Sequence, residues 1–172
     1  MPTEAIVGLF TLGGVALGFA GQWFMEGQRV HRSRVGMVKA MLGELRANAA
    51  GAVRVLYAGP GNRSMLYSSE TWRAANFELA QFIPDNTYED LLLIYQLLPD
   101  IQRLSDTPRL GWSEDTVDLG VKSLLEQWIE RIKRTMNDLL KLPEAATFRH
   151  QWRIRPAEED LAHEAKNEAE RS

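Results

Sequence analysis

Apolar positions in this chain follow two different patterns, one before residue 26 and another after it. From Ala5 to Met25, 21 residues follow one another without a charge. A helix of that length rises about 31 Å, close to the hydrocarbon thickness of a bilayer at about 30 Å. After this run, apolar residues recur every three or four positions between charged and polar ones, which is the mark of amphipathic helices in water. The two patterns predict an all-α chain: a single N-terminal transmembrane helix followed by an antiparallel four-helix-type bundle.

The first amphipathic stretch holds Val38, Met41, Leu42, Leu45, Ala49, Ala52, Val53 and Leu56, and Gly59-Pro60-Gly61 stops it. No proline interrupts residues 26–37, so this helix is free to continue from the uncharged run. Ser69 is the expected N-cap of a second helix, with Trp72, Ala75, Leu79 and Phe82 on its apolar side up to Pro84. Asp85-Asn86-Thr87 opens a third, whose Leu91–Ile94 run and Leu97, Leu98, Ile101 and Leu104 suit a helix buried against several neighbours. Pro99 predicts a kink near Tyr95, because proline clashes with the carbonyl four residues back. Ser113 is expected to cap the last helix, with Val117, Val121, Leu124, Leu125, Trp128, Ile132, Met136 and Leu139 in one stripe and Pro143 closing it. Four helices on short connections favour an up-and-down bundle.

The resulting organisation is a short external N-terminus over residues 1–4, a transmembrane helix over 5–25, a cytoplasmic bundle over 26–142, and a basic-aromatic segment with an acidic, flexible tail over 143–172. The tail interleaves Phe148, Trp152 and Ile154 with Arg149, Arg153 and Arg155 before turning acidic beyond Pro156.

Charge refines this picture. The net charge is −3, which gives no global attraction to nucleic acid, and none is expected as a partner. The distribution is uneven, with six Arg and Lys against two Glu over residues 26–58 and nine basic against thirteen acidic over 59–142. Arg29, Arg32, Arg34 and Lys39 thus stand just beyond the uncharged run, where basic residues hold a loop in the cytoplasm. The expected location is the inner membrane of a bacterium, with the N-terminus outside. Gly18 and Ala20 resemble the small residues of a signal-peptide cleavage site, but Met1-Pro2-Thr3-Glu4 lacks the basic start of a secretory signal, so a retained anchor is expected.

Within the anchor, Thr11, Gly14, Gly18 and Gly21 share one face, and Gly14 with Gly18 makes the G-x-x-x-G spacing that lets two helix backbones approach closely. This points to self-association or to a protein partner in the membrane. Contact with the membrane surface is expected from Arg29, Arg32, Arg34, Arg149, Trp152, Arg153 and Arg155. The competing expectation for the tail is that Phe148, Trp152 and Ile154 pack back on the bundle while the Arg side chains stay solvated.

Signals for chemistry are few. The chain has no cysteine, which removes disulfides, thiolate nucleophiles and cysteine-based metal sites. His31, His150 and His163 are far apart and fall in no ligand spacing, and no phosphate-loop, dinucleotide or serine-hydrolase motif occurs. No cofactor, metal or catalytic residue is therefore expected. Glu44 and Asn48 lie one turn apart beside the apolar stripe and Asn76 holds a similar flank on the next helix; these three could form a polar network, although a partly exposed helix edge is the commoner cause of such residues. The function expected is that of a non-catalytic, membrane-anchored interaction or scaffold protein. The alternative is a membrane-tethered ligand sensor or regulator with a small pocket in the bundle near Tyr95 to Pro99, for which Glu44, Asn48 and Asn76 are the expected polar contacts.

Overall fold

The computed structural model describes residues 2–58, 67–106 and 117–152, and every regular element among them is helical. Helix α1 spans Pro2–Ala58, α2 Glu70–Leu79, α3 Asp85–Asp106 and α4 Val117–Lys141. Two 3-10 turns follow, Pro143–Ala145 and Arg149–Trp152. The start expected at Ser113 and the loop expected after Gly59 lie outside the described residues, as do Arg153 and Arg155 of the tail. The chain forms two units, Met1–Gly36 and Met37–Ser172.

The first unit is the N-terminal part of α1. Leu17, Phe19, Trp23, Phe24 and Met25 are all exposed there, Trp23 to 84%. At 100° per residue these five positions spread over about 240° of the helix circumference, wider than the single apolar stripe of an amphipathic helix. Among the described residues no helix is long and apolar enough to cross a membrane. The span expected over 5–25 is only partly covered by that statement, because the side chains of residues 1–13, 15 and 16 lie outside the description.

The second unit is an all-helical bundle. Val38, Met41, Leu42, Leu45, Ala52 and Val53 of α1 are buried, as are Trp72, Ala75 and Leu79 of α2. So are Leu91, Ile94, Leu98 and Ile101 of α3 and Leu125, Trp128, Ile132 and Leu139 of α4. Each fully buried Leu or Ile contributes on the order of 1.5–3 kcal/mol, so these four faces specify the packing. Helices α3 and α4 run antiparallel: Arg131 reaches Asp90 at 2.6 Å, and the Trp128 indole donates to the Ile94 carbonyl at 3.0 Å.

One expectation changes. Helix α3 is not enclosed on most sides, since Leu93 is 41% exposed and Leu92 borders an open groove. Pro99 lies inside α3, which continues past it to Asp106. Proline cannot donate to the Tyr95 carbonyl, and the next carbonyl back, that of Ile94, receives the Trp128 indole.

Candidate functional site

Helix α2 begins one residue after Ser69, as its capping preference predicts, but the Ser69 side chain makes no capping bond. The first turn of a helix has amide groups with no partner inside the helix. Here the donors of Thr71 and Trp72 are taken by Glu44, 27 and 28 residues earlier on α1, at 2.7 and 3.2 Å. A carboxylate at a helix N-terminus also meets the positive end of the helix dipole. The cap therefore comes from another helix, and a tertiary contact replaces a local one.

Glu44 is only 7% exposed and its four acceptor positions are all used. Oε1 receives the Tyr95 hydroxyl at 2.6 Å and the Trp72 amide. Oε2 receives the Ser68 hydroxyl at 3.0 Å and the Thr71 amide. One turn further along α1, Asn48, 1% exposed, grips the backbone of Ser68 with both ends of its amide: Nδ2 donates to the carbonyl and Oδ1 accepts from the N–H, each at 2.8 Å. Glu44 and Asn48 are thus buried parts of one network, not members of a partly exposed edge. Asn76 is half-buried on α2, and the contact described for it is its carbonyl accepting the Ala80 amide at 3.1 Å.

The electrostatics follow from this geometry. Burial pushes the Glu44 carboxyl up, but the Tyr95 hydroxyl, the Thr71 amide, the Ser68 hydroxyl and the Trp72 amide together hold it below its ordinary value. Tyr95 moves the other way: burial, the hydrogen bond it gives to Glu44 and the negative charge of that group all raise its pKa. A low-pKa carboxylate with no free acceptor position is suited to holding structure and poorly suited to taking a proton from a substrate.

Aromatic rings surround the network. Trp72 stacks on Tyr95 with ring centres 5.0 Å apart and planes within 3°, and Tyr88 tilts against Trp72 at 5.6 Å. Tyr67 meets Trp128 edge-on at 5.7 Å. The Tyr67 ring also approaches Gly51 so closely that a Cβ there would lie 3.0 Å from Cε1.

Outside this hub lies an open groove of about 740 Å³, bordered by Ser68, Trp72, Arg73, Tyr95, Gln96 and Pro99 among others. The pocket expected beside Tyr95 and Pro99 thus has a counterpart, but Glu44, Asn48 and Asn76 do not line it. Their partners Ser68 and Tyr95 do, and their hydroxyls are already engaged with Glu44.

The remaining candidate residues are dispersed. A Cβ on Gly14, Gly18 or Gly21 would meet nothing within 4 Å, and the side chain of Thr11 lies outside the described residues. Arg29 and Arg32 are exposed and Arg34 is half-buried. In the tail, Phe148 is buried and Trp152 is half-buried, its ring edge 3.9 Å from where a Gly43 Cβ would stand. Arg149 donates to the Leu142 carbonyl at 3.3 Å. No group of acidic or histidine side chains among the described residues is arranged to hold a metal ion. Sequence reading overlooked Ser68, the Tyr95 hydroxyl and Gly51; only Gly51, a glycine inside an amphipathic helix, carried a signal of close approach. Comparison of this chain with protein-family models, curated proteins and solved structures finds no match.

Proposed function

We propose that this chain is a single-pass protein of the inner membrane, N-terminus outside, whose cytoplasmic bundle serves as a non-catalytic interaction or scaffold module. The observation that carries the reading is the abrupt change at residue 26. Twenty-one uncharged residues, with large apolar side chains exposed around most of the helix from Leu17 to Met25, give way to Arg29, Arg32 and Arg34. The internal cap supports the non-catalytic part, because the most buried carboxylate among the described residues is fully occupied in joining α1, α2 and α3. The G-x-x-x-G face supports self-association or membership of a membrane complex, since Gly14 and Gly18 stand in open space.

The test is fractionation of cells that express the full chain, followed by an alkaline carbonate wash. Retention in the pellet and release by mild detergent are expected; a protein that stays in the supernatant overturns the anchor. Light scattering of the detergent-solubilised protein then reports assembly. Gly14→Ile with Gly18→Ile should lower the assembled mass, and a monomer before substitution that also co-purifies with no partner removes the interaction role.

The groove beside Trp72 and Tyr95 favours a second reading, a membrane-tethered sensor of a small amphipathic ligand. A metabolite panel that shifts the melting temperature of the wild type, with the shift lost in Gln96→Trp, supports this reading, and a panel without effect removes it.

A further inference from the structure

Within the second unit, the outer side of α1 carries a stripe of basic and small residues. Lys39, Gly43, Arg46, Ala50 and Arg54 recur at steps of 4, 3, 4 and 4, which at 100° per residue keeps all five within an arc of about 80°. Lys39, Arg46 and Arg54 are exposed, and among the described residues none of them forms an ion pair. Between Met37 and Ala58 the single acidic residue is Glu44, which is buried and occupied by Tyr95, Ser68, Thr71 and Trp72. Three cations within about 22 Å of helix are thus left without a counter-charge from their own element.

The chain itself returns to this stripe. Trp152 rests at Gly43, between Lys39 one turn before and Arg46 one turn after, with its ring edge 3.9 Å from where a Cβ there would stand. From there 20 more residues follow. Beyond Pro156 they include Glu158, Glu159, Asp160, Glu164, Glu168 and Glu170 against Lys166 and Arg171. Six residues of extended chain reach roughly 20 Å, so Glu158 can arrive anywhere from Lys39 to Arg54.

We propose that the acidic segment 158–170 docks in cis on the Lys39–Arg46–Arg54 face of α1. Each exposed pair is weak and screened by salt. The tether compensates, because a short linker holds the acidic segment at an effective concentration in the millimolar range. Small residues at Gly43 and Ala50 let a second strand of chain lie close to the helix between the basic side chains. The face is thereby occupied by the molecule's own tail, and any other polyanion has to displace it.

The absence of cysteine makes the test direct. Ala169→Cys in the full chain, in neutral detergent, accepts one nitroxide label. At low salt the amide signals of residues 39–54 should broaden, and high salt or Lys39→Glu with Arg46→Glu and Arg54→Glu should reduce that broadening severalfold. Asp160→Lys, Glu164→Lys and Glu168→Lys should restore it on the reversed face. Four results overturn the proposal. One is no broadening in the unreversed chain at low salt; another is broadening that survives both salt and charge reversal. A third is broadening seen only between separate molecules, which gives the face to a second copy. The fourth is binding of phosphatidylserine vesicles to the face undiminished by the intact tail, which gives it to lipid.

Discussion

Trp72 and Glu44 are joined twice. The Trp72 amide donates to Oε1 of Glu44 at 3.2 Å, and the Trp72 ring stacks on Tyr95, whose hydroxyl reaches the same oxygen at 2.6 Å. The start of α2, the middle of α3 and α1 therefore share one atom. Losing the carboxylate frees a helix terminus and a buried hydroxyl together.

Glu44→Ala leaves the Thr71 and Trp72 amides without their acceptor and the Tyr95 hydroxyl with only the weak acceptor Met41 Sδ at 3.3 Å, and an unsatisfied buried group costs about 1–3 kcal/mol. A loss of about 3–5 kcal/mol is expected in urea titrations of the full chain in detergent, allowing for partial rehydration of α2. Glu44→Gln keeps two acceptor positions but turns two others into donors facing donors, so about half that loss is expected. A Glu44→Ala variant within about 1 kcal/mol of wild type, the size of one ordinary hydrogen bond, would remove the cap from the account of stability.

The network also sets the response to pH. Glu44 sits below its ordinary 4.5 in the folded state, so its contribution is complete above that value and is lost as pH falls through the lower folded value. Tyr95 sits above its ordinary 10.0, so its contribution is complete below pH 10.0 and fades as pH rises beyond it. Melting temperature should therefore fall at both extremes. Tyr95→Phe should flatten the alkaline limb and soften the acid limb, since it removes the strongest hydrogen bond holding Glu44 down. An alkaline limb unchanged in Tyr95→Phe would place its origin elsewhere.

The helical faces were legible because burial imposes a period on the sequence: nearly all of the apolar residues named from spacing on α1 and α4 line the core or its edge. The cap was not legible. Glu44 and Asn48 stand out as polar groups beside an apolar stripe, but their partners lie 20 to 51 residues away, and several of those partners are backbone amides that every segment possesses. Ser69 obeys the local capping rule, and a tertiary carboxylate still takes its place. That Phe148 and Trp152 fold back on the bundle was legible from their apolar character amid basic residues, but the place where Trp152 rests was not, because a glycine on the outer side of an amphipathic helix names no partner.

Asn48 offers a sharper comparison. Its amide satisfies both polar groups of the Ser68 backbone, so Asn48→Ala should cost about 2 kcal/mol through two lost bonds. Asn48→Asp keeps the shape and the acceptor but sets a carboxylate against the Ser68 carbonyl, one turn from the Glu44 charge. It should be the more destabilising of the two above about pH 5 and should recover toward the alanine variant in acid, as the new carboxyl gains a proton to donate. Urea midpoints of both variants at neutral and acidic pH check the order. If Asn48→Asp were the more stable of the two at neutral pH, movement of the 67–69 segment would have to relieve this acceptor-only pairing.

Gly51 tests how tightly the segment before α2 is clamped. A helix-interior glycine costs about 1 kcal/mol relative to alanine, so its presence on α1 needs a reason, and the Tyr67 ring 3.0 Å from its absent Cβ supplies one. Tyr67 cannot retreat freely, because it is buried and its ring also meets Trp128 edge-on at 5.7 Å. Gly51→Val should therefore destabilise by about 1–3 kcal/mol, as overpacked sites do. Removing the ring relieves the clash, so Gly51→Val with Tyr67→Ala should be less damaging than the sum of the two single changes, by about 1 kcal/mol or more. Strict additivity in that cycle would mean that the ring and the helix do not touch in solution. In that event the segment that brings Ser68 to Glu44 and Asn48 would have to be held by the hydrogen bonds alone.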